Sequence, residues 1–328
     1  VSFIPSPAAR STSRLEPPSG WEGPATPRVG LGYRRALHDE LMAAPRDALD
    51  FVELAPENYL GLGGRWARRL EAVSAKWPVV THGLALSLGG DDPLDASLVD
   101  GLAAFTDQVG TPWHSDHLSW ARHGGHHLHE LLPLPLTRET ARHVAARVRD
   151  VASALPVPMA VENISAYGRY PEDTLTEADF VTEVVERADC RLLLDVNNLY
   201  VNSVNFGFDP YEALRRMPLE AVCQIHVAGF HREEVEPEGG GPRAEILVDT
   251  HGAPIADPVW PLLEAALRRT GPVPVLLERD HHIPPLAELL TEVAHIRAVF
   301  ERVWGPRVAA GPQPRPGPVG LRTVEVHP

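Results

Sequence analysis

The chain has 328 residues, of which 44% are hydrophobic and 23% charged, and its formal net charge is −14. These totals allow one large folded body, because α/β barrels reach this length as a single domain. They exclude a membrane-spanning helix, since no apolar run approaches the ~20 residues needed to cross a bilayer, and the acidic charge weighs against nucleic acid as a partner.

In chain order, residues 1–28 are rich in Pro, Ser and Ala and are expected to form a flexible N-terminal arm. They lack the continuous apolar stretch of a signal peptide. Residues 29–304 form the folded body, and residues 305–328 are a Pro-rich tail expected to be disordered. The two cysteines, Cys190 and Cys223, lie in apolar strand-like runs and make no C-x-x-C motif. They are expected to be buried thiols of a reducing cytoplasm.

The body alternates short apolar runs with longer amphipathic ones. Strands are predicted at Val29–Tyr33, Phe51–Ala55, Val79–Gly83, Trp113–Leu118, Met159–Asn163, Leu192–Asn197, Val222–Ala228 and Val273–Glu278. Helices are predicted at Trp66–Ala75, Ser97–Val109, Arg138–Ala154, Glu177–Ala188, Pro210–Met217, Val259–Arg269 and Pro285–Trp304, where apolar positions recur at three and four residues. Eight strands alternating with helices imply a parallel sheet with helical crossovers, best closed as a (β/α)8 TIM barrel. The competing doubly wound sheet loses ground because no G-x-G-x-x-G or Walker A loop follows any strand.

The strand ends carry the chemistry. Successive segments terminate in His82, His117, Glu162, Asp195, His226, Asp249 with His251, and Glu278 with Asp280. In a barrel such ends meet on the C-terminal face, where active sites are built. Clustered carboxylates repel one another unless cations join them, so the pattern points to bound metal with imidazole filling the remaining positions. Taken singly, each residue is equally well explained as a helix cap or a hydrogen-bonded structural group; seven ends of one kind are not. The spacing Asp249-x-His251 puts both side chains on one side if that segment is extended. Nitrogen and oxygen donors without thiolate suit iron, manganese or zinc.

Other histidines carry less. His123, His126, His127 and His129 fall in a Gly-containing loop, and His281 and His282 are candidates for the mouth of the site. His38, His143 and His295 lie on predicted helices with surface roles expected. The acidic, Gly-rich stretch Glu233–Gly241 is expected to be a mobile loop, more simply a solvated insertion than a lid.

At these residues the chain resembles the multinuclear non-haem iron-dependent oxidases, a family long catalogued as a domain of unknown function. The matching segments are Gly30-Leu-Gly-Tyr-Arg, Glu57-Asn58-Tyr59, His82-Gly83-Leu-Ala-Leu-Ser-Leu-Gly, Ser115-Asp116-His117-Leu-Ser-Trp120, Leu131-Leu-Pro-Leu-Pro135, Glu162-Asn163, Asp195-Val-Asn-Asn198, His226-Val-Ala-Gly229, Asp249-Thr-His-Gly252 and Ile283-Pro-Pro285. They span roughly residues 29–290. The family's Ser-Glu-His is Ser-Asp-His here, a departure beside the ligand rather than at it.

The resemblance implies a xylose-isomerase-like TIM barrel, similar also to endonuclease IV. It implies metal ligands at His82, His117, Glu162, Asp195, Asn198, His226, Asp249, His251 and Glu278, with Glu162 and Glu278 bridging and Glu162, Asp195 and Glu278 nearest the chemistry. Asn198 stands where the endonucleases carry a histidine. The implied cofactor is two or three iron ions of mixed Fe2+/Fe3+ valence with dioxygen as co-substrate. The implied partners are a ribosomal precursor peptide, modified at cysteine, and a small leader-peptide-binding protein. A hydrolase of the endonuclease IV type, with zinc, and a sugar isomerase or epimerase, with divalent ions, are the alternatives on the same barrel. The loops Gly61–Gly64, His123–Glu130 and Glu233–Gly241 are candidates for peptide contact.

Overall fold

A computed structural model describes residues 28–236 and 244–305. The expected arm and tail therefore lie outside the described residues, apart from Arg28 and Gly305. The first half of the fold runs β1 (Val29–Gly32), α1 (His38–Ala43), β2 (Phe51–Leu54), α2 (Gly64–Lys76), β3 (Val79–His82), α3 (Ala96–Val109) and β4 (His114–His117). A hairpin of β5 (Trp120–His123) and β6 (His126–Leu132) follows, then α4 (Arg138–Ala154), β7 (Met159–Glu162) and α5 (Glu177–Ala188). The second half contains β8 (Arg191–Asp195), α6 (Val196–Phe206), α7 (Pro210–Arg216) and β9 (Val222–Val227). A second hairpin, β10 (His231–Val235) with β11 (Ala244–Val248), precedes α8 (Val259–Thr270), β12 (Val275–Leu277) and α9 (Leu286–Trp304).

Strands β1, β2, β3, β4, β7, β8, β9 and β12 hydrogen-bond in parallel and close on one another as a barrel. Every predicted strand is present, as the TIM barrel requires. Between strands and helices lies the main core. Val29, Leu31, Val52, Leu54, Leu192, Leu194, Val275 and Leu277 face outwards into it. Helix α4 meets this shell with Ala141, Val144, Ala145, Val148 and Val151, a spacing that keeps one face apolar. Its first turn is fixed by Thr137, whose hydroxyl accepts from the Thr140 amide at 3.1 Å.

The barrel interior is layered. Phe51, Val80, Trp113 and Leu276 make a separate small apolar cluster. Gly30 faces Phe51 so closely that a Cβ there would stand 2.5 Å from the ring. Because side chains alternate along a strand, residues two positions onward point the same way one layer higher. Phe51 is followed by Glu53, Val80 by His82 and Leu276 by Glu278. The interior therefore turns from apolar to ionisable within one step of each strand, and that step places the site.

Three elements differ from expectation. The stretch around Gly124-Gly125 is a hairpin, not a loop; both glycines have positive φ, 58° and 80°, as the tight turn demands. The acidic stretch from Glu233 begins inside β10, which pairs antiparallel with β11, while residues 237–243 lie outside the described residues. The strand predicted to reach Asn197 stops at Asp195, and α6 starts at once. Among the described residues no helix is long and apolar enough to cross a membrane.

Candidate metal centre

Strand register brings the ionisable residues together. His117 is the ladder partner of Glu162, Asp195 of His226, and His82 of Ser115. Partners on adjacent strands are about 4.8 Å apart, so these side chains rise side by side into one space. Of His82, His117, Glu162, Asp195, His226 and Glu278, none is more than 7% exposed.

Three sets of donors arise in sequence round the barrel. His82, His117 and Glu162 form the first; Glu162, Asp195 and His226 the second; Asp195, His251 and Glu278 the third. Glu162 Oε2 lies 2.9 Å from His82 Nε2 and 3.1 Å from His117 Nε2, while its Oε1 lies 3.6 Å from His226 Nδ1. Glu278 Oε2 stands 3.2 Å from His226 Nδ1 and 3.5 Å from His251 Nδ1. Glu162 and Asp195 are thus each shared by two sets. Glu278, expected to bridge, belongs to one set although it lies between two imidazoles, whereas Asp195, expected as a ligand near the chemistry, is the second shared donor.

Each imidazole is held from outside by one nitrogen. His82 Nδ1 meets Ser115 Oγ at 2.8 Å, and His117 Nδ1 donates to the Gly83 carbonyl at 3.0 Å. His226 Nε2 faces Glu53 Oε2 at 3.1 Å, and His251 Nδ1 faces Asp280 Oδ2 at 3.0 Å. An outer partner of this kind fixes the tautomer and turns the other nitrogen's lone pair inward. Arg34 in turn holds Asp280, its Nε donating to Oδ1 at 2.7 Å, and reaches Glu278 Oε1 at 3.3 Å. Behind His82 and His117, Glu57 accepts from the amides of Leu84 and Ala85 and Asp116 from that of Leu86. Gly83 must be glycine in this clamp: a Cβ would stand 2.8 Å from Asp116 Oδ2.

Several inward atoms have ionisable neighbours but no well-aligned hydrogen bond. Glu162 Oε2, Asp195 Oδ2, Asn198 Oδ1, His226 Nδ1 and His251 Nε2 are buried with no hydrogen bond of good geometry, and three of them meet only other ionisable donors of the sets or Asp249. Buried polar atoms are rarely left so, and five converging lone-pair donors fit a cluster of cations. The electrostatics agree. Burial works against a charged Glu162, yet His117 and His82 hold its carboxyl down to about 2. Burial likewise opposes the His117 imidazolium, but Glu162 and Asp116 bring it up to about 9. Asp195, raised well above the usual range by burial and then by Glu162 and Asp249, is the carboxylate most in need of a positive neighbour.

The remaining expected ligands sit beside these sets. Asn198 is in the first turn of α6; its amide donates to Asp195 Oδ1 at 2.7 Å, so Asp195 also caps that helix. Asp249 Oδ1 lies 2.7 Å from His251 Nε2 and accepts from Asn197 Nδ2 at 2.8 Å. Asp249 and His251 do not share an extended segment. They follow hairpin strand β11, and His251 turns back with φ 48°. His123, His126, His127 and His129 are exposed on the β5–β6 hairpin, and His281 and His282 are also exposed. His38 departs from its expected surface role: it is buried, with Nδ1 2.8 Å from the Tyr33 hydroxyl. Both cysteines are free, and burial pushes each thiol up to about 12.

Glu53 and Gln224 were not anticipated. Gln224 Nε2 donates to Glu53 Oε2 at 2.5 Å beneath His226. The signal was a carboxylate in the middle of the apolar run Phe51–Ala55, two positions after a core residue.

Comparison with known proteins agrees with the barrel fold. A UPF0276 protein of Pseudomonas aeruginosa strain UCBPP-PA14 is 46% identical over 274 residues, covering 84% of this chain and 93% of that protein. A UPF0276 protein of Shewanella sediminis is 45% identical over 269 residues, covering 82% and 93%. Among solved structures, a D-tagatose 3-epimerase-like protein matches with a TM-score of 0.54 at 12% identity, covering 84% of this chain and 98% of that one. Endonuclease IV from Thermus thermophilus matches with a TM-score of 0.51 at 16% identity, covering 84% and 100%. These likenesses show the xylose-isomerase-like barrel and no more. The family model described as "RiPP precursor modification enzyme MbnB/TglH/ChrH" matches residues 28–301, and the chain belongs to that family of enzymes.

Proposed function

We propose that this enzyme is a multinuclear non-haem iron-dependent oxidase that modifies cysteine residues of a ribosomally synthesised precursor peptide, with dioxygen as electron acceptor. The observation that carries the reading is the chain of three donor sets linked through Glu162 and Asp195, each imidazole already oriented by an outside partner. His82, His117 and Glu162 would hold one ion, Glu162, Asp195 and His226 a second, and Asp195, His251 and Glu278 a third. Asn198 and Asp249 complete the outer positions. An amide is a weaker neutral donor than imidazole, so Asn198 leaves its ion more open than a histidine would. All-oxygen and nitrogen donors suit iron; bound there, iron supplies the one-electron steps by which dioxygen oxidises a thiol.

The protein's own groups orient and shield. The ladder fixes His117 against Glu162, and Arg34 fixes Asp280 against His251. Tyr167, 53% exposed, accepts from the Asp249 amide at 2.9 Å and would meet an incoming peptide beside the third donor set. The β5–β6 hairpin, Gly61–Gly64 and strands β10 and β11 follow the C-terminal ends of β4, β2 and β9 and would supply peptide contacts, and a small partner protein would present the leader.

The test is metal analysis of the anaerobically purified full chain, followed by mass spectrometry of a co-expressed neighbouring cysteine-bearing peptide. Iron at two or three per chain, with a mass change on a cysteine, supports the reading. A colourless zinc protein that cleaves phosphodiesters, or a divalent-ion protein that epimerises sugars, overturns it.

A further inference from the structure

Beside the metal centre, a cavity of about 390 Å³ opens between the β7–α5 connection, α5, α6 and α7. Its walls are largely apolar, with Phe180, Phe206 and Phe208 among them. Its charge is not balanced. Four carboxylates line it, Asp173, Glu177, Asp209 and Glu212, against two guanidiniums, Arg169 and Arg216. Arg216 is already taken, bonded to both oxygens of Asp179 at 2.8 and 2.6 Å.

Glu177 is the group without an evident use. Its carboxylate accepts from Asn202 Nδ2 at 3.0 Å and, at the limit, from Asn163 Nδ2 at 3.5 Å. No Lys, Arg or His among the described residues stands within ion-pair distance of it. Burial raises this carboxyl to about 7, with the two asparagines and, from beyond ion-pair distance, Arg169 only partly opposing. A desolvated carboxylate of this kind gains most from a cation. The aromatic wall accepts one as well: the Arg169 guanidinium already lies 4.5 Å from the Phe206 ring centroid.

We propose that this cavity is a binding site for an organic cation on an apolar stem, and that in the peptide substrate it takes a lysine or arginine side chain. The apolar walls cover the methylene stem, while Glu177 and the phenylalanines receive the charged head. The assignment to a peptide rests on the proposed function; the cation site itself does not. The position suits a subsite. Asn163, which reaches Glu177, also accepts the Asp195 amide at 2.9 Å and donates to the Asp195 carbonyl at 3.0 Å. Occupancy of the cavity is thereby one residue removed from a shared donor of the metal sets, and a basic residue anchored here holds the peptide beside them.

The test reads binding, not turnover. The full chain is titrated by calorimetry with a capped Ala-Lys-Ala peptide, its norleucine counterpart and n-butylamine. The lysine peptide is expected to bind about tenfold or more tightly than the norleucine peptide. Glu177→Gln removes that preference, and Gly168→Trp, at an exposed glycine that lines the cavity, is expected to obstruct it and block both peptides. Equal binding of the two peptides, or a lysine preference that survives Gly168→Trp, overturns the proposal. Butylamine bound as tightly as the peptide assigns the site to a free amine and overturns the peptide subsite. Should Glu177→Gln fail to fold, Gly168→Trp still decides. A chain lacking iron or oxidase activity leaves the binding result standing, so the two readings fail separately.

Discussion

The two sides of the metal centre reach the same chemistry by different means. On one side, His82, His117 and Glu162 end barrel strands, and the backbone ladder sets their positions. On the other, Asp249 and His251 arrive on a hairpin inserted between β9 and α8, held by side chains. Asn205 grips Leu247, Tyr167 meets the Asp249 amide, and Asp280 takes His251 Nδ1. His251 also adopts a left-handed backbone, which costs a non-glycine residue on the order of 1 kcal/mol and persists only where its surroundings enforce it. Ladder-held donors keep their geometry whether or not a cation is bound, whereas hairpin-held donors depend on a few side-chain bonds. The third set should therefore be the most easily emptied.

The largest effect is expected where two sets share one residue on the ladder side. Glu162→Ala removes a donor from the first and second sets together. Bound metal and activity should fall by about a hundredfold or more, and His117→Ala, which touches the first set alone, should lose activity and the metal of that set, while circular dichroism still reports a folded barrel in both. Full metal content in either variant would contradict the ligand assignment. On the hairpin side the loss should be partial. His251→Ala is expected to release one ion per chain and leave the remainder bound, as read by metal analysis after gel filtration. If it empties the whole centre, the two sides are not independent.

Glu53 separates orientation from ligation. It does not belong to any of the three sets, yet it faces His226 Nε2 and so decides which nitrogen carries the proton. In Glu53→Gln the acceptor is replaced by an amide that can present a donor to the same nitrogen. Metal affinity should drop by about ten- to a hundredfold with ligand identity unchanged. A chelator-competition titration measures this, and an unchanged affinity would make Glu53 a purely structural charge.

The difference between the two sides also explains what was readable beforehand. The ladder-side donors were legible because each closes an apolar run, and period-two alternation with parallel strands leaves one place for such ends to meet. Glu53 was not, because a lone carboxylate inside an otherwise apolar strand ordinarily marks a face turned to solvent; only the layering of this barrel, apolar at Phe51 and ionisable one step above, turns it inward. Helix α6 was hidden because Asp195 ends a strand and caps the helix at once, with no intervening loop, and its asparagines are poor helix formers. His38 looked superficial because it sits on a helix, but that helix is two turns docked against Tyr33. The hairpin at Gly124-Gly125 did carry a signal, the double glycine of a tight turn, within a histidine-rich run that drew attention to metal binding instead.

The smallest expected effect tests the hairpin's hold directly. Asn205 lies on α6, with Nδ2 donating to the Leu247 carbonyl at 2.9 Å and Oδ1 accepting from the Leu247 amide at 2.8 Å. It thus satisfies both backbone groups of one residue on the open side of β11, as a neighbouring strand would. Asn205→Ala forfeits both bonds, about 1–3 kcal/mol, without touching any proposed ligand. Since the barrel ladder does not involve β11, the cost should fall on the hairpin: faster amide exchange at Leu247 and Val248, and a severalfold weaker hold on the ion nearest His251. The ions shared through Glu162 should stay. Equal weakening at all three sets would mean that β11 is braced by the whole barrel, and that the two sides differ in route of construction but not in rigidity.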